Sequence, residues 1–227
     1  MSRKQELFVS TISDNPKDIF KNLKIYDQLG ISGIHFDIMD GSFVPRFGLY
    51  PELLAEIRNE TPLPIEVHLM TTNPEPYIEH LVKAGANRIA VHIEALTNPI
   101  KTILHIRACG AEAGIVLNPL TEIEEVRFLI QEVSLIMLMA INPGIPKHPF
   151  IPSTMAKLIE LKKILNEINS GIKICIDGGV TFDNAKSLFQ NGADVIVCGS
   201  GTIFKKENSI ESNIIMLKNK ISIGTND

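Results

Sequence analysis

The 227-residue chain carries a net charge of −4, with 44% hydrophobic and 21% charged residues, the profile of an ordinary globule. That balance argues against a basic nucleic-acid-binding face and against disorder, and the length allows one barrel-sized core to be buried. Apolar runs are too short to span a membrane, no apolar leader follows Met1, and Cys109, Cys175 and Cys198 form no Cys-x-x-Cys pair. A cytoplasmic protein with reduced cysteines, bound to neither nucleic acid nor membrane, is the expectation.

Short β-branched or apolar runs alternate with longer amphipathic stretches. The first half predicts strands at 7–10, 33–37, 65–69 and 88–92, each followed by a helix, at 16–28, 51–59, 74–83 and 99–108. The second half continues with strands at 113–117, 135–139, 172–176 and 194–198, and helices at 122–131, 153–169, 182–190 and 209–220. Pro16, Pro51, Pro74 and Pro99 suit first-turn positions, where a missing N–H costs nothing. Gly30, Gly85, Gly110 and Gly192 follow helix ends, where a left-handed residue closes the last turn.

Strict strand–helix alternation with short loops implies a parallel sheet with helical crossovers. Eight such units in this length favour closure into a (β/α)₈ TIM barrel, one domain over 1–227, rather than an open sheet. No Gly-x-Gly-x-x-Gly follows the first strand, which lowers a dinucleotide-binding alternative.

In a barrel the chemistry sits at the C-terminal strand ends. Strand side chains alternate, so His35, Asp37 and Met39 share one face while Phe36 and Ile38 point toward the helices. The same phase turns His68 and Met70 inward on the third strand and brings Asp177 to the mouth on the seventh. Singly, a strand-end histidine is more often structural. His35, Asp37, His68 and Asp177 together can make a four-ligand divalent metal site, suited to zinc, iron, manganese or cobalt better than calcium. Met39, Met70 and Met139 read as core filling or as an apolar cap over the reacting carbons. The turns Gly178-Gly179 and Gly199-Ser200-Gly201 follow the last two strands, where phosphate usually binds in this fold, and they also read as tight turns that need glycine.

The segments His35-Phe-Asp-Ile-Met-Asp-Gly-Ser-Phe-Val-Pro45, Glu66-Val-His-Leu-Met70, Asn142-Pro-Gly144, Ile176-Asp-Gly-Gly179 and Cys198-Gly-Ser200 resemble the ribulose-phosphate 3-epimerase family, in order and along nearly the whole chain. The resemblance implies epimerisation at C3 of D-ribulose 5-phosphate to D-xylulose 5-phosphate, a step of the pentose phosphate pathway. It matches His35, Asp37, His68 and Asp177 to ligands of one divalent cation. Asp37 and Asp177 double as the acid/base pair, and the charge of the enediolate between them falls to the metal as Lewis acid. Ser10, His68, Met39, Met70, Met139 and Gly144 match substrate contacts; Gly178, Gly179, Gly199 and Ser200 match phosphate contacts. A small sugar phosphate as partner and a homo-oligomer, dimer or hexamer, follow from the same resemblance.

Three departures stand out. The loop 145–150 reads Ile-Pro-Lys-His-Pro-Phe where the family pattern has two glycines. Ser42 and Arg46 replace a histidine and an asparagine, and Cys175 stands where a glutamate is frequent. These leave the metal and acid/base set intact but open the sugar identity. The alternatives are the same chemistry on another ketose phosphate, such as D-allulose 6-phosphate, and a non-catalytic sugar-phosphate-binding relative.

Overall fold

The structure is a computed structural model that describes residues 4–145, 148–168 and 170–222. Among these residues, eight parallel strands close into a barrel in sequence order, with β1 paired to both β2 and β8. The strands are β1 (Glu6–Ser10), β2 (Gly33–Met39), β3 (Ile65–Met70), β4 (Arg88–His92), β5 (Glu112–Leu117), β6 (Leu135–Met139), β7 (Lys173–Asp177) and β8 (Val195–Cys198). Every predicted strand is present, and β2 runs two residues further, to Met39, than the expected end.

Around the barrel lie α1 (Ile19–Gln28), α2 (Pro51–Glu60), α3 (Ile78–Lys83), α4 (Pro99–Ala108), α5 (Ser153–Glu167), α6 (Ala185–Gln190) and α7 (Ile210–Ser222). α5 shows how they seat. Thr154, Leu158, Leu161 and Leu165 recur every three or four residues and are buried, so one stripe faces the sheet. Each leucine buried there contributes about 1.5–3 kcal/mol by area removed from water. Asn169, where the predicted helix ended, lies outside the described residues.

The departures from the predicted helices have local causes. Segment 122–131 is a 3₁₀ run, Ile123–Glu132, rather than an α-helix. Its buried Ile123, Val126 and Ile130 are spaced by three and four, which either helix type accommodates, so the pattern could not separate them. The third helix begins as a 3₁₀ turn, Glu75–Tyr77, and becomes α-helical only at Ile78. Pro76 disfavours the α conformation at Glu75 and lacks an N–H. Helix α6 begins at Ala185, behind a turn in which Asn184 Oδ1 accepts from the Thr181 N–H while Thr181 Oγ1 accepts from the Asp183 and Asn184 N–H groups. This reciprocal pair caps the free N–H groups of the first turn, and the Ala185 N–H bond to the Thr181 carbonyl at 3.1 Å already has helical spacing.

Alternation sorts the side chains into two apolar regions. Phe36, Ile38, Val67 and Leu69 belong to the layer between sheet and helices. Phe8, Ala90, Val116, Met137, Cys175 and Val197 fill the barrel interior. Above that interior plug, at the C-terminal strand ends, the inward positions turn polar.

Candidate active site

Strand register assembles the site. Asp37 on β2 is the register partner of His68 on β3, Met39 partners Met70, and Met139 on β6 partners Asp177 on β7. Ser10 on β1 partners His35. Inward phase and register together bring His35, Asp37, His68 and Asp177 to one place. A ligand atom from each lies within 4.8 Å of all the others.

Two carboxylates share two imidazoles. His35 Nε2 lies 3.1 Å from Asp37 Oδ1 and 3.6 Å from Asp177 Oδ2. His68 Nδ1 lies 3.2 Å from Asp37 Oδ1 and 3.4 Å from Asp177 Oδ2. Ligands held about 2.0–2.1 Å from one tetrahedral centre sit about 3.3 Å apart, so these four separations fit a small divalent ion. Two nitrogens and two oxygens suit zinc, iron, manganese or cobalt.

The electrostatics agree with that fit. Burial lowers the His35 pKa, but the adjacent Asp37 and Asp177 charges outweigh burial and hold it well above 6.5. Burial also opposes charge on His68, yet hydrogen bonding to Asp177 and Asp37 leaves its pKa raised. For Asp37, burial is overcome by the His35 charge and by hydrogen bonds from both histidines, and its pKa is depressed. Buried carboxylates here demand positive charge, and protonated imidazoles supply it. A divalent cation would meet the same demand.

Behind each imidazole stands a partner that the sequence pattern did not mark, a carboxylate for His35 and a histidine for His68. Glu66, wholly buried, places Oε1 3.2 Å from His35 Nδ1, and its Oε2 accepts from Arg88 Nη1 at 2.9 Å. Arg88 Nε donates to Glu112 Oε2 at 3.0 Å. His35, Glu66, Arg88 and Glu112 are successive register partners across β2, β3, β4 and β5, one polar row through the apolar interior. On the other side, His68 Nε2 lies 2.9 Å from His92 Nε2, and His92 Nδ1 lies 3.2 Å from Glu94 Oε2. The signals were available: Glu66 shares the inward phase of His68, and His92 ends β4 on the inward face.

Above the cluster opens a cavity of about 460 Å³, the size of a small-ligand site. Its wall includes Ser10, Asp37, Met39, Met70, Met139, Gly144, Asp177, Gly178, Gly179, Gly199 and Ser200, so these candidates converge on one space. His35 and His68 lie beneath it, fully buried. Ser10 Oγ donates to Asp37 Oδ2 at 3.2 Å. Met39 and Met70 pack with Val44 at the mouth, and Met139 caps the interior plug. Gly178 and Gly179 have φ of 93° and 63°, and a Cβ on either would meet Ile141 or Phe150 at under 3 Å. Both glycines are therefore required by the turn, whatever binds there. Arg46 and His148 also line the cavity. Pro146 and Lys147, part of the altered loop, lie outside the described residues.

An inward-facing acid cluster beneath a small-ligand cavity, at the C-terminal end of a closed parallel barrel, defines a TIM-barrel enzyme site. The model of the "Ribulose-phosphate 3 epimerase family" matches residues 6–204. The chain is 39% identical over 189 residues to the ribulose-phosphate 3-epimerase of Aquifex aeolicus, covering 83% of this chain and 84% of that one. It is 37% identical over 179 residues to the enzyme of the same name from Bacillus subtilis, covering 78% and 82%. Against the chloroplastic ribulose-5-phosphate-3-epimerase of Arabidopsis thaliana the identity is 35%, over 87% of this chain and 71% of the plant protein. Among solved structures, KGPDC from Streptococcus mutans superposes with a TM-score of 0.70 at 15% identity, over 96% and 98% of the two chains. A Pyrococcus furiosus tryptophan synthase α-subunit gives 0.68 at 17%, over 97% and 98%. These two likenesses show the barrel alone. The chain belongs to the ribulose-phosphate 3-epimerase family and is an isomerase of that type.

Proposed function

We propose that this chain inverts C3 of a ketose phosphate, interconverting D-ribulose 5-phosphate and D-xylulose 5-phosphate, with Asp37 and Asp177 as the acid/base pair. One observation carries the reading: both carboxylates line a single cavity while sharing two buried imidazoles. Inverting a carbon next to a carbonyl requires removing its proton on one face and returning a proton on the other. Two carboxyls, one ionised while the other is protonated, do this. Each positioned proton-transfer group contributes about 10²–10⁴-fold.

Asp37, its pKa depressed, rests as the base. The Ser10 hydroxyl holds its Oδ2 in place at the cavity wall. Asp177, on a strand that does not neighbour β2, delivers the proton from its own side. Met39, Met70 and Met139 present apolar surface to the reacting carbons and exclude water from them. Gly178, Gly179, Gly199 and Ser200 line the part of the wall assigned to the phosphate. His35, Asp37, His68 and Asp177 would hold one divalent cation, zinc, iron, manganese or cobalt. Bound there, it supplies Lewis-acid stabilisation of the negative charge that develops on oxygen.

Turnover of purified, metal-supplemented protein on D-ribulose 5-phosphate and D-allulose 6-phosphate tests the assignment. A higher kcat/KM on the five-carbon sugar is expected. Conversion of the six-carbon sugar alone would transfer the reading to that substrate, and turnover of neither would sink it.

A further inference from the structure

The two imidazoles of the cluster present different nitrogens to it: His35 turns Nε2 inward and His68 turns Nδ1 inward. A neutral imidazole has one N–H and one lone pair, so only one tautomer of each can serve as a ligand. For His35 the matter is settled by Glu66, whose carboxylate requires a proton on Nδ1. The nitrogen of His68 that faces away from the cluster meets no carboxylate. It meets another histidine.

The proton positions follow from the far end of that chain. Glu94 accepts from the Asn118 N–H at 2.8 Å and from the Thr121 hydroxyl. Burial raises its pKa, but the hydrogen bonds from His92, Thr121 and Asn118 prevail and bring it down to about 2. As a carboxylate it can only accept, so His92 Nδ1 carries a proton toward it. A neutral His92 then offers a lone pair at Nε2, and the 2.9 Å contact requires His68 Nε2 to be the donor. When a cation displaces the proton that His68 turns toward the carboxylates, the lone pair it needs is therefore on Nδ1, pointing between Asp37 and Asp177.

The geometry holds His92 in this role. Its side chain is completely buried. Its ring lies edge to edge with that of His68, centroids 5.0 Å apart and planes 23° apart, as an in-plane N–H···N bond requires, and Phe43 from the β2–α2 loop packs against it at 4.7 Å. A buried ring packed by Phe43 and bonded at both nitrogens is held against a rotation that would exchange its donor and acceptor.

We propose that His92 and Glu94 are positioning residues that lock His68 as the Nε2–H tautomer and so aim its Nδ1 lone pair into the four-residue cluster. This rests on the reading that a divalent cation binds there. Neither residue is among the cluster's own four groups, and both act through His68. Partners of this kind behind a ligating histidine typically change metal affinity by about 10–100-fold.

The test has two parts. In zinc-loaded wild-type protein, long-range ¹H–¹⁵N correlation spectra should show the proton of His68 on Nε2 and that of His35 on Nδ1, opposite tautomers in one site. Zinc affinity by chelator competition should fall roughly tenfold or more in His92→Leu, which removes the acceptor at similar bulk, with a smaller loss in Glu94→Ala. His92→Gln keeps a carbonyl acceptor for the His68 N–H and should recover most of the affinity. Wild-type protein that binds no zinc would defeat the cation reading itself. Protein that binds zinc with the His68 proton on Nδ1, or whose Leu and Gln variants bind as tightly as wild type, would overturn the positioning role alone. Should the Leu variant fail to fold, Glu94→Ala still decides, and zinc affinity there equal to wild type would overturn the positioning role.

Discussion

Asp37 Oδ1 and Asp177 Oδ2 face the same two imidazole nitrogens, at 3.1 and 3.6 Å from His35 and 3.2 and 3.4 Å from His68, although they stand on strands that do not pair. The carboxylates are thereby tied into one unit while each keeps access to the cavity from its own strand. Changing one should stop inversion without dismantling the barrel. Asp177→Asn cannot supply a proton on its face, and epimerisation should drop by about 10²-fold or more. Exchange of the C3 proton of one epimer with solvent should survive through Asp37. Deuterium incorporation without product formation is the expected observation; normal turnover would show the roles to be misassigned.

His68→Ala should remove bound metal and activity together. The side chain contributes nothing to the apolar layer under the helices, so circular dichroism should remain that of a folded barrel. Metal content by elemental analysis of protein purified without chelator is the direct readout. Full activity in rigorously metal-free wild-type protein would refute the ligand assignment.

The raised pKa values of His35 and His68 set the direction of a pH effect. In chelator-treated protein each keeps its proton above the ordinary value of 6.5, so a cation must expel protons to bind. Zinc titration at pH 7 should therefore release protons, and affinity should weaken as pH falls. The folding linkage runs in the opposite direction to the metal linkage. A histidine raised on folding stabilises fully below about pH 6.5 and loses that contribution as pH rises through its folded value. The Tm of chelator-treated protein should thus decline over the interval above pH 6.5, while the zinc-loaded protein gains from tighter binding there. Calorimetry in buffers of different ionisation heat measures the first effect, and thermal melts measure the second.

Arg88 tests the polar row beneath the site. It pairs with Glu66 at 2.9 Å, and Glu66 is wholly buried. Arg88→Met would leave that carboxylate with His35 as its remaining close cation. Breaking a buried pair from one side costs about 3–5 kcal/mol. Urea unfolding should show a loss of that order, and a change below about 1 kcal/mol would mean that Glu66 does not depend on Arg88.

What the sequence made legible follows from period and chemistry. Alternation at two residues placed His35, Asp37, Met39, His68 and Met70 on the inward face, and the strand ends placed them at one rim. What it hid depended on register. Glu66 and His92 have the right phase, but their partners are on other strands, and only closure of the barrel sets Glu66 against His35 or His92 against His68. The 3₁₀ run Ile123–Glu132 was hidden for a different reason: a spacing of three and four does not separate the two helix types. The glycine turns were legible as turns, and the Cβ clashes at Gly178 and Gly179 show that their backbone demands glycine before any ligand is considered.

Arg46 marks the departure from the family pattern that bears most directly on substrate. It follows Pro45 in the loop after β2, which Asp40 folds back by accepting from the Ser42 and Phe43 N–H groups and from the Thr72 N–H on the neighbouring loop, each at 2.8 Å. An antiparallel bridge from Asp40 to Phe47 closes the same loop, so Arg46 lies on a braced segment at the cavity wall. His148 reaches the cavity from the loop after β6, with Nδ1 3.0 Å from the Pro149 carbonyl. Pro149 in that loop lacks an N–H, whereas a glycine in the family pattern would offer one. A guanidinium can hold a phosphate with paired N–H donors and needs no backbone cradle. If Arg46 takes over this part of the grip, Arg46→Ala should lower kcat/KM on a phosphorylated ketose by about tenfold or more, the size of a lost charged hydrogen bond of ~1.5–3 kcal/mol. The loss should appear mainly in KM, because phosphate contacts persist from substrate to transition state. His148→Ala in parallel separates the two loops, and Lys147→Ala extends the test to the position beside it. Unchanged kcat/KM in all three variants would return phosphate binding to the Gly178-Gly179 and Gly199-Ser200 turns.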